Sequence, residues 1–336
     1  MRKTGRSVWL LLGVLLWPSF AGAQAPGTRA AGMGTAFVGV ADDASAVYWN
    51  PAGVATGPFV TFQLDLTDLR VQPGETPAES TQPGVRDTTR LMALSVTPLG
   101  LSYYRLSRVQ AGPAVTAGPG RQEGRVSARR LDTSQFGATL LQSVGDWVTV
   151  ATTIKAVRGT VADGTVVGTD WAGAFDRVEA LDGAKETHAD LDVGVMVTAH
   201  RFHLGAVARN LRQPTFGDAA AGEPSMRLDR EVRVGAAYGS GWPGQSALIV
   251  AVDADVTERV DPQGPRRDVA AGAEAWVLRH RVGLRAGIRG SALGARRTTT
   301  SAGVSVGITA GWFVDAQLTR GDDIDRGWGV GMRFVY

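Results

Sequence analysis

Residues able to do chemistry are sparse in this chain. The histidines are His188, His200, His203 and His280, and there is no cysteine. The missing thiol excludes disulfides, zinc–thiolate sites and a cysteine nucleophile together. A hydrolase built on histidine needs a carboxylate or serine beside it. Only His188 has one close in sequence, Asp190; the other three fall at short turn signals. The chain therefore reads as a non-enzyme. GMGTAF (32–37) has two glycines at the dinucleotide-motif spacing, but no third glycine and no preceding strand, so it reads as a turn. Asp253 and Asp255 share one strand face, an arrangement that could hold calcium but more commonly faces arginine. No metal and no cofactor is expected. The arginines at 281, 285 and 289 also share one face, and a tight turn over 278–281 would set Glu274 opposite Arg285.

What positions these charges is a repeated strand pattern. VTFQLDL (60–66) sets Val60, Phe62, Leu64 and Leu66 on one face, with Thr61, Gln63 and Asp65 on the other. HADLDVGVMVTA and RVGLRAGIRG alternate in the same way, with the apolar face continuous each time. About fourteen such segments occur, centred near residues 63, 93, 103, 137, 151, 194, 205, 235, 251, 272, 285, 302, 315 and 331. Brief turns near 98, 145, 200, 278 and 309, and one around 241–244, alternate with polar stretches at 70–87, 109–130, 159–187, 211–229 and 257–266. Short turns on one side, long loops on the other and an even strand number are the pattern of a transmembrane outer-membrane β-barrel. The polar face is rich in Gly, Ser and Thr with charges of both signs, as a packed or water-lined lumen requires. A soluble sandwich would be charged on its outward face, and a solenoid would show a fixed repeat. An arginine facing lipid at mid-depth costs roughly 2–4 kcal/mol, so Arg281, Arg285 and Arg289 are expected to point inward.

The two ends agree with this reading. Arg2, Lys3 and Arg6 precede an apolar run at 8–16 and a small-residue site at 21–23, a cleavable export signal over residues 1–23 that is too short to span a bilayer. Its removal takes away three positive charges and no acidic residue, so the formal +3 becomes zero and no nucleic-acid partner is implied. At the other end, Trp328, Val330, Met332, Phe334 and Tyr336 share a face. A terminal strand ending in an aromatic resembles the signal read by the barrel-assembly machinery of Gram-negative bacteria, here carried by Phe334 and Tyr336. The alternative is an interfacial aromatic belt.

Residues 24–57 lack the alternation. Asp42 or Asp43 could cap a short helix over 44–49, and Asn50-Pro51 suits the start of another, asparagine as cap and proline at the first helical position. The stretch AGMGTAFVGVADDASAVYWNPAG (31–53) resembles the N-terminal signature of FadL-like outer-membrane transporters, particularly the compact PorV/PorQ-type relatives. The match lies in Ala41-Asp42-Asp43-Ala44 and Asn50-Pro51-Ala52. The resemblance implies a lumen closed by an N-terminal hatch (24–57) inside a barrel of residues 58–336. By that resemblance Asn50, Pro51 and Ala52 would sit at the hatch. The plainer reading of the residues makes Asn50 only a helix cap and Asp42 and Asp43 only a polar tether to lumen arginines; Val47, Tyr48 and Trp49 supply bulk that could occlude a pore. The resemblance also implies the outer membrane as location, lipid and the assembly machinery as partners, and passive passage of a small hydrophobic or amphipathic ligand. The alternative is a PorV-like secretion partner that binds secreted protein cargo through its loops; a purely structural barrel is a third reading. Fatty-acid capture fits poorly, because 159–187 holds few large apolar residues.

Overall fold

The computed structural model describes residues 26–115, 124–217, 225–240, 247–261, 264–294, 296–322 and 324–336. The export signal and the turn at 241–244 lie outside the described residues. Two short helices, α1 (Thr28–Gly32) and α2 (Ala46–Trp49), and a 3-10 turn (Pro51–Ala55) precede the strands. Then come β1 (Val60–Val71), β2 (Gly84–Val96), β3 (Leu99–Ala114), β4 (Arg125–Val144) and β5 (Val148–Val167). Helix α3 (Trp171–Glu179) leads to β6 (Lys185–Ala199), β7 (Phe202–Arg209) and the small pair β8 (Thr215–Phe216) and β9 (Met226–Arg227). β10 (Glu231–Gly239), β11 (Leu248–Asp255), the short β12 (Arg259–Asp261) and β13 (Gly264–Val277) follow. The chain ends with β14 (Val282–Leu293), β15 (Thr298–Thr309), β16 (Trp312–Gly321) and β17 (Ile324–Val335).

Fourteen of these strands pair antiparallel with their neighbours. β1 pairs β17, and β11 pairs β13, so the sheet is a closed barrel without a free edge. Closure at the chain ends is a backbone exchange between Val60 and Tyr336, at 3.0 and 2.9 Å. Tyr336 itself is 82% exposed, and Phe334 packs on Trp312 with ring centroids 4.9 Å apart.

The alternation in sequence becomes an inside and an outside. Leu94, Leu101, Phe136, Ile154, Leu204, Val252, Leu284, Leu318 and Val330 stand exposed, an apolar belt around the wall. Their strand neighbours Thr61, Gln63, Asp65, Asp192, Asp253, Glu274, Arg285 and Ser305 are buried inside. No helix among the described residues is long and apolar enough to cross a membrane.

The polar stretches at 109–130 and 159–187 are shorter as loops than the sequence pattern implies. β3, β4 and β5 run for 16, 20 and 20 residues, well past the 9–11 or so that a tilted crossing needs. Beyond the apolar belt both faces of a strand can be polar, so the alternation fades while the ladder continues. Charge pairs bridge the extension, such as Arg129–Asp163 and Arg108–Asp87 at 2.8 and 2.5 Å. Helix α3 packs on the outward side of this tall section through Trp171, Phe175 and Val178. Asp170 caps it, accepting from the Gly173 N–H at 2.7 Å, and that bond holds its carboxyl below the ordinary range.

Candidate functional site: the filled lumen

Residues 26–57 run through the barrel interior, and nearly all are buried. Helix α1 lies against β14, β15 and β16, and the 3-10 turn against β5 and β6. The wall opposite them is thinned to fit. A side chain at Gly287 would overlap the backbone of Met33 and Gly34, one at Gly272 that of Met33, and one at Gly205 that of Val38. One at Gly194 would meet the side chains of Asn50 and Pro51. Gly205, Gly272 and Gly287 therefore serve contact between two backbones, and Gly194 makes room for the Asn50-Pro51 corner.

The first part of the segment is held by charge. The Arg29 guanidinium grips Glu274 in bidentate fashion, at 2.7 and 2.6 Å. Its other nitrogen bonds Asp42 and, at 3.2 Å, Asp43. Glu274 also accepts from Arg285 at 2.6 Å, and Arg285 reaches Ser305 and Asp315. Strand register sets Glu274 opposite Arg285, and both carboxylate and guanidinium are fully buried. At this height the lumen is packed rather than wet. Wall carboxylates also catch free backbone N–H groups. Asp65 accepts from Thr28 at 3.0 Å, and Asp253 accepts from Phe37 and Val38 at 2.8 and 2.9 Å.

The second part is held by packing and one asparagine. Tyr48 meets Tyr104 edge-on at 5.7 Å, and Arg209 stands 4.3 Å over its ring. Trp49 is fully buried, and its indole N–H donates to the Pro26 carbonyl at 2.8 Å. Asn50 caps the turn that starts at Pro51, accepting from the Ala52 N–H at 3.2 Å, and its amide donates to the carbonyls of Val38 and Val195. Ala52 is buried beside it. Helix α2 starts at Ala46, two residues later than the sequence implies. Asp43 takes the N–H and hydroxyl of Ser45 rather than capping the helix itself.

The remaining sequence-derived positions separate. Asp253 and Asp255 both pair with Arg233, at 3.3 and 3.1 Å; no group of metal-ligating side chains occurs among the described residues. Arg289 is half-buried, 3.8 Å from Asp268. Arg281 is not packed in the lumen with Arg285: it lies exposed in the turn before β14, where a charge needs no buried partner. His188 contacts Glu186 at 3.1 Å, while Asp190 is taken by Lys155 at 3.0 Å, so the two do not form a pair. Sequence reasoning missed Arg29, Asp65, Tyr104, Arg209 and Arg233. A lone arginine within a Gly/Ala-rich stretch was the available clue for Arg29.

Between α1 and the wall a cavity of about 50 Å³ is lined by Ala31, Thr67, Leu69, Gln317 and others. That is below the roughly 150 Å³ of a cavity that takes up benzene.

The barrel is similar in fold to solved channels. The toluene transporter TbuX of Ralstonia pickettii is 14% identical, with 93% of this chain and 98% of that one covered at a TM-score of 0.62. The monoaromatic hydrocarbon channel CymD gives 12% identity, 92% and 97% coverage and a TM-score of 0.63. A FadL homologue of Pseudomonas aeruginosa gives 12%, 95% and 97%, and 0.60. Residues 140–255 match the family described as F plasmid transfer operon, TraF, protein. No curated protein matches the chain.

Proposed function

We propose that this chain is a FadL-like outer-membrane channel that passes small hydrophobic molecules without an energy source, gated by residues 26–57. One observation carries the reading. A separate, glycine-seated segment fills the lumen and is bound there by side-chain contacts, so it can leave without breaking the wall ladder. The cavity beside it is too small for an aromatic ring, so passage requires the segment to rearrange. The fold shared with monoaromatic hydrocarbon channels supports a ligand of that size and polarity, and the export signal and the apolar belt support the outer membrane. Within that superfamily the Ala41–Ala44 and Asn50–Ala52 motifs support the compact PorV/PorQ type. A second reading, docking of secreted protein cargo, draws on the tall β3–β5 section with α3 outside the belt.

The test is uptake of a labelled monoaromatic hydrocarbon by a Gram-negative host stripped of its own FadL-like channels. The full chain should raise uptake above the empty vector, and a barrel lacking residues 27–55 should raise it further. Uptake at the vector level from both, with the barrel shown to be assembled, would remove the channel reading. Co-purification of secreted proteins would then favour the second.

A further inference from the structure

Outside the barrel, where the apolar belt meets the loop end, the next outward residue is repeatedly arginine. On β2 Met92 is followed toward the loops by Arg90, and on β3 Tyr103 by Arg105. On β16 Leu318 is followed by Arg320, and on β17 Trp328 by Arg326. The register brings like charges face to face: Arg90 opposite Arg105, and Arg70 between Arg326 and Arg86. Like charges directly opposite on one sheet face repel, so this arrangement costs stability unless an anion sits between them. Asp68 offsets part of it, accepting from Arg70 and Arg86 at 2.7 and 2.9 Å. Asp132 neutralises Arg105 at 2.9 Å. Arg90 is exposed and bonds no carboxylate among the described residues.

Here the surface is concave. A cavity of about 210 Å³ is lined by Arg86, Thr88, Arg90, Arg105, Ser107 and Glu179. Glu179 is already engaged by Arg86 at 3.3 Å, and Asp132 accepts from Arg105 at 2.9 Å and from the Ser107 hydroxyl at 2.5 Å, which leaves the Arg90 guanidinium, the remaining N–H groups of Arg105 and the Thr88 hydroxyl toward the opening. Just below it stand Met92, Leu94, Leu101 and the Tyr103–Phe136 ring pair, exposed to lipid. The opposite rim carries an aromatic girdle of Phe59, Trp147, Phe202, Trp312 and Phe334, with Arg201, Arg279 and Arg281 exposed singly in its turns. What sets the loop end apart is the cross-strand pairing of arginines around a cavity beside the apolar belt, an arrangement that suits a leaflet rich in phosphate.

We propose that this cavity binds the phosphorylated headgroup of an outer-leaflet lipid, with Arg90 and Arg105 as its phosphate ligands and the acyl chains lying on the apolar belt beneath. Guanidinium matches phosphate oxygens in bidentate geometry, and the threonine hydroxyl adds a donor to such a cradle. The proposal rests on the outer-membrane placement above and goes beyond it, since no step of passage uses this site.

The test uses the full chain in mild detergent, incubated with bisphosphorylated lipid A, with phosphatidylcholine or with inorganic phosphate. Retained lipid is measured by mass spectrometry after gel filtration. The parent should retain lipid A over phosphatidylcholine, and millimolar phosphate should not displace it. Arg90→Gln with Arg105→Gln should bind about thirtyfold more weakly, from roughly fivefold per arginine near an anionic surface, with heat-modifiable gel migration unchanged. Arg90→Lys with Arg105→Lys should recover part of the loss. Equal retention by parent and Gln variant overturns the site; displacement by phosphate at low concentration overturns the lipid as its occupant. A chain that retains lipid A but fails the uptake assay overturns the channel and leaves this site standing. A chain that takes up hydrocarbon but retains no lipid A does the reverse.

Discussion

The two parts of the inner segment occupy one lumen but are held by different physics. Residues 27–43 are anchored by ions. Arg29 spans the segment's own Asp42 and Asp43 and the wall's Glu274, and Asp65 and Asp253 collect backbone N–H groups. Residues 44–56 are anchored by Tyr48, Trp49 and Asn50, with aromatic contacts, the Asn50 amide bonds and a wall cation, Arg209, over the Tyr48 ring and on its carbonyl, but no ion pair to the wall among the described residues. A buried ion network is intolerant: removing one member strands another charge away from water. An aromatic pocket loses contact area and degrades by degrees. Under the proposed gating, the ionic part would be the latch and the aromatic part the hinge side.

Deleting residues 27–55 removes both anchors and should have the largest effect. All fourteen wall strands and the terminal Phe334 and Tyr336 remain, so the barrel should assemble and migrate heat-modifiably. Single-channel conductance in planar bilayers should rise well above that of the full chain. An assembled deletion that conducts no more than the parent would mean the segment does not plug the lumen.

Glu274→Gln tests the ionic part. Arg29 and Arg285 both lose their shared carboxylate in a site without exposure. Losing one member of such a buried network costs about 3–5 kcal/mol, and hydrogen exchange over 27–43 should quicken accordingly. Exchange over 44–56 should change less if the two parts are independent. Equal loosening of both would erase the comparison.

How much of this could be read from sequence follows the same division. The fourteen strands were legible because lipid demands an apolar side chain at every second position, and that demand acts locally. The opposition of Glu274 and Arg285 was legible too, since a tight turn fixes register over a dozen residues. The extension of β3–β5 was not, because outside the belt no solvent contrast enforces alternation. Arg29 was not, because its partner Glu274 is 245 residues away. The sequence shows the inward face to be rich in glycine, but the reason for glycines 194, 205, 272 and 287 is the backbone of Val38, Met33 and Gly34 and the side chains of Asn50 and Pro51, which no local pattern reveals.

Those glycines give the next prediction. In Gly287→Ala the added methyl would overlap backbone of Met33 and Gly34, where neither wall nor segment can step aside freely. Overpacking of this kind costs typically 1–3 kcal/mol. The segment should loosen at 32–37 while the wall ladder stays protected, as read by exchange of β14 amides. A wall that loosens equally would show that segment and barrel form one cooperative unit.

The smallest effect is expected from Asn50→Ala, and it bears on the hinge side. Asn50 performs two jobs: its oxygen caps the turn at Ala52, and its amide ties Val38 to Val195 of the wall. Loss of a cap costs about 0.5–2 kcal/mol, typically near 1. The two carbonyls left behind keep other chances for bonding, since a carbonyl has two lone pairs. Tyr48 and Trp49 would still fill their pocket against Tyr104 and Arg209, so conductance should stay near the parent's and far below that of the deletion. Exchange should quicken at 50–55 and at 38, the two places the side chain joins, and little at 28–34. If Asn50→Ala instead opens the pore as fully as the deletion, the latch lies in this half, and the ionic part is the tether rather than the release.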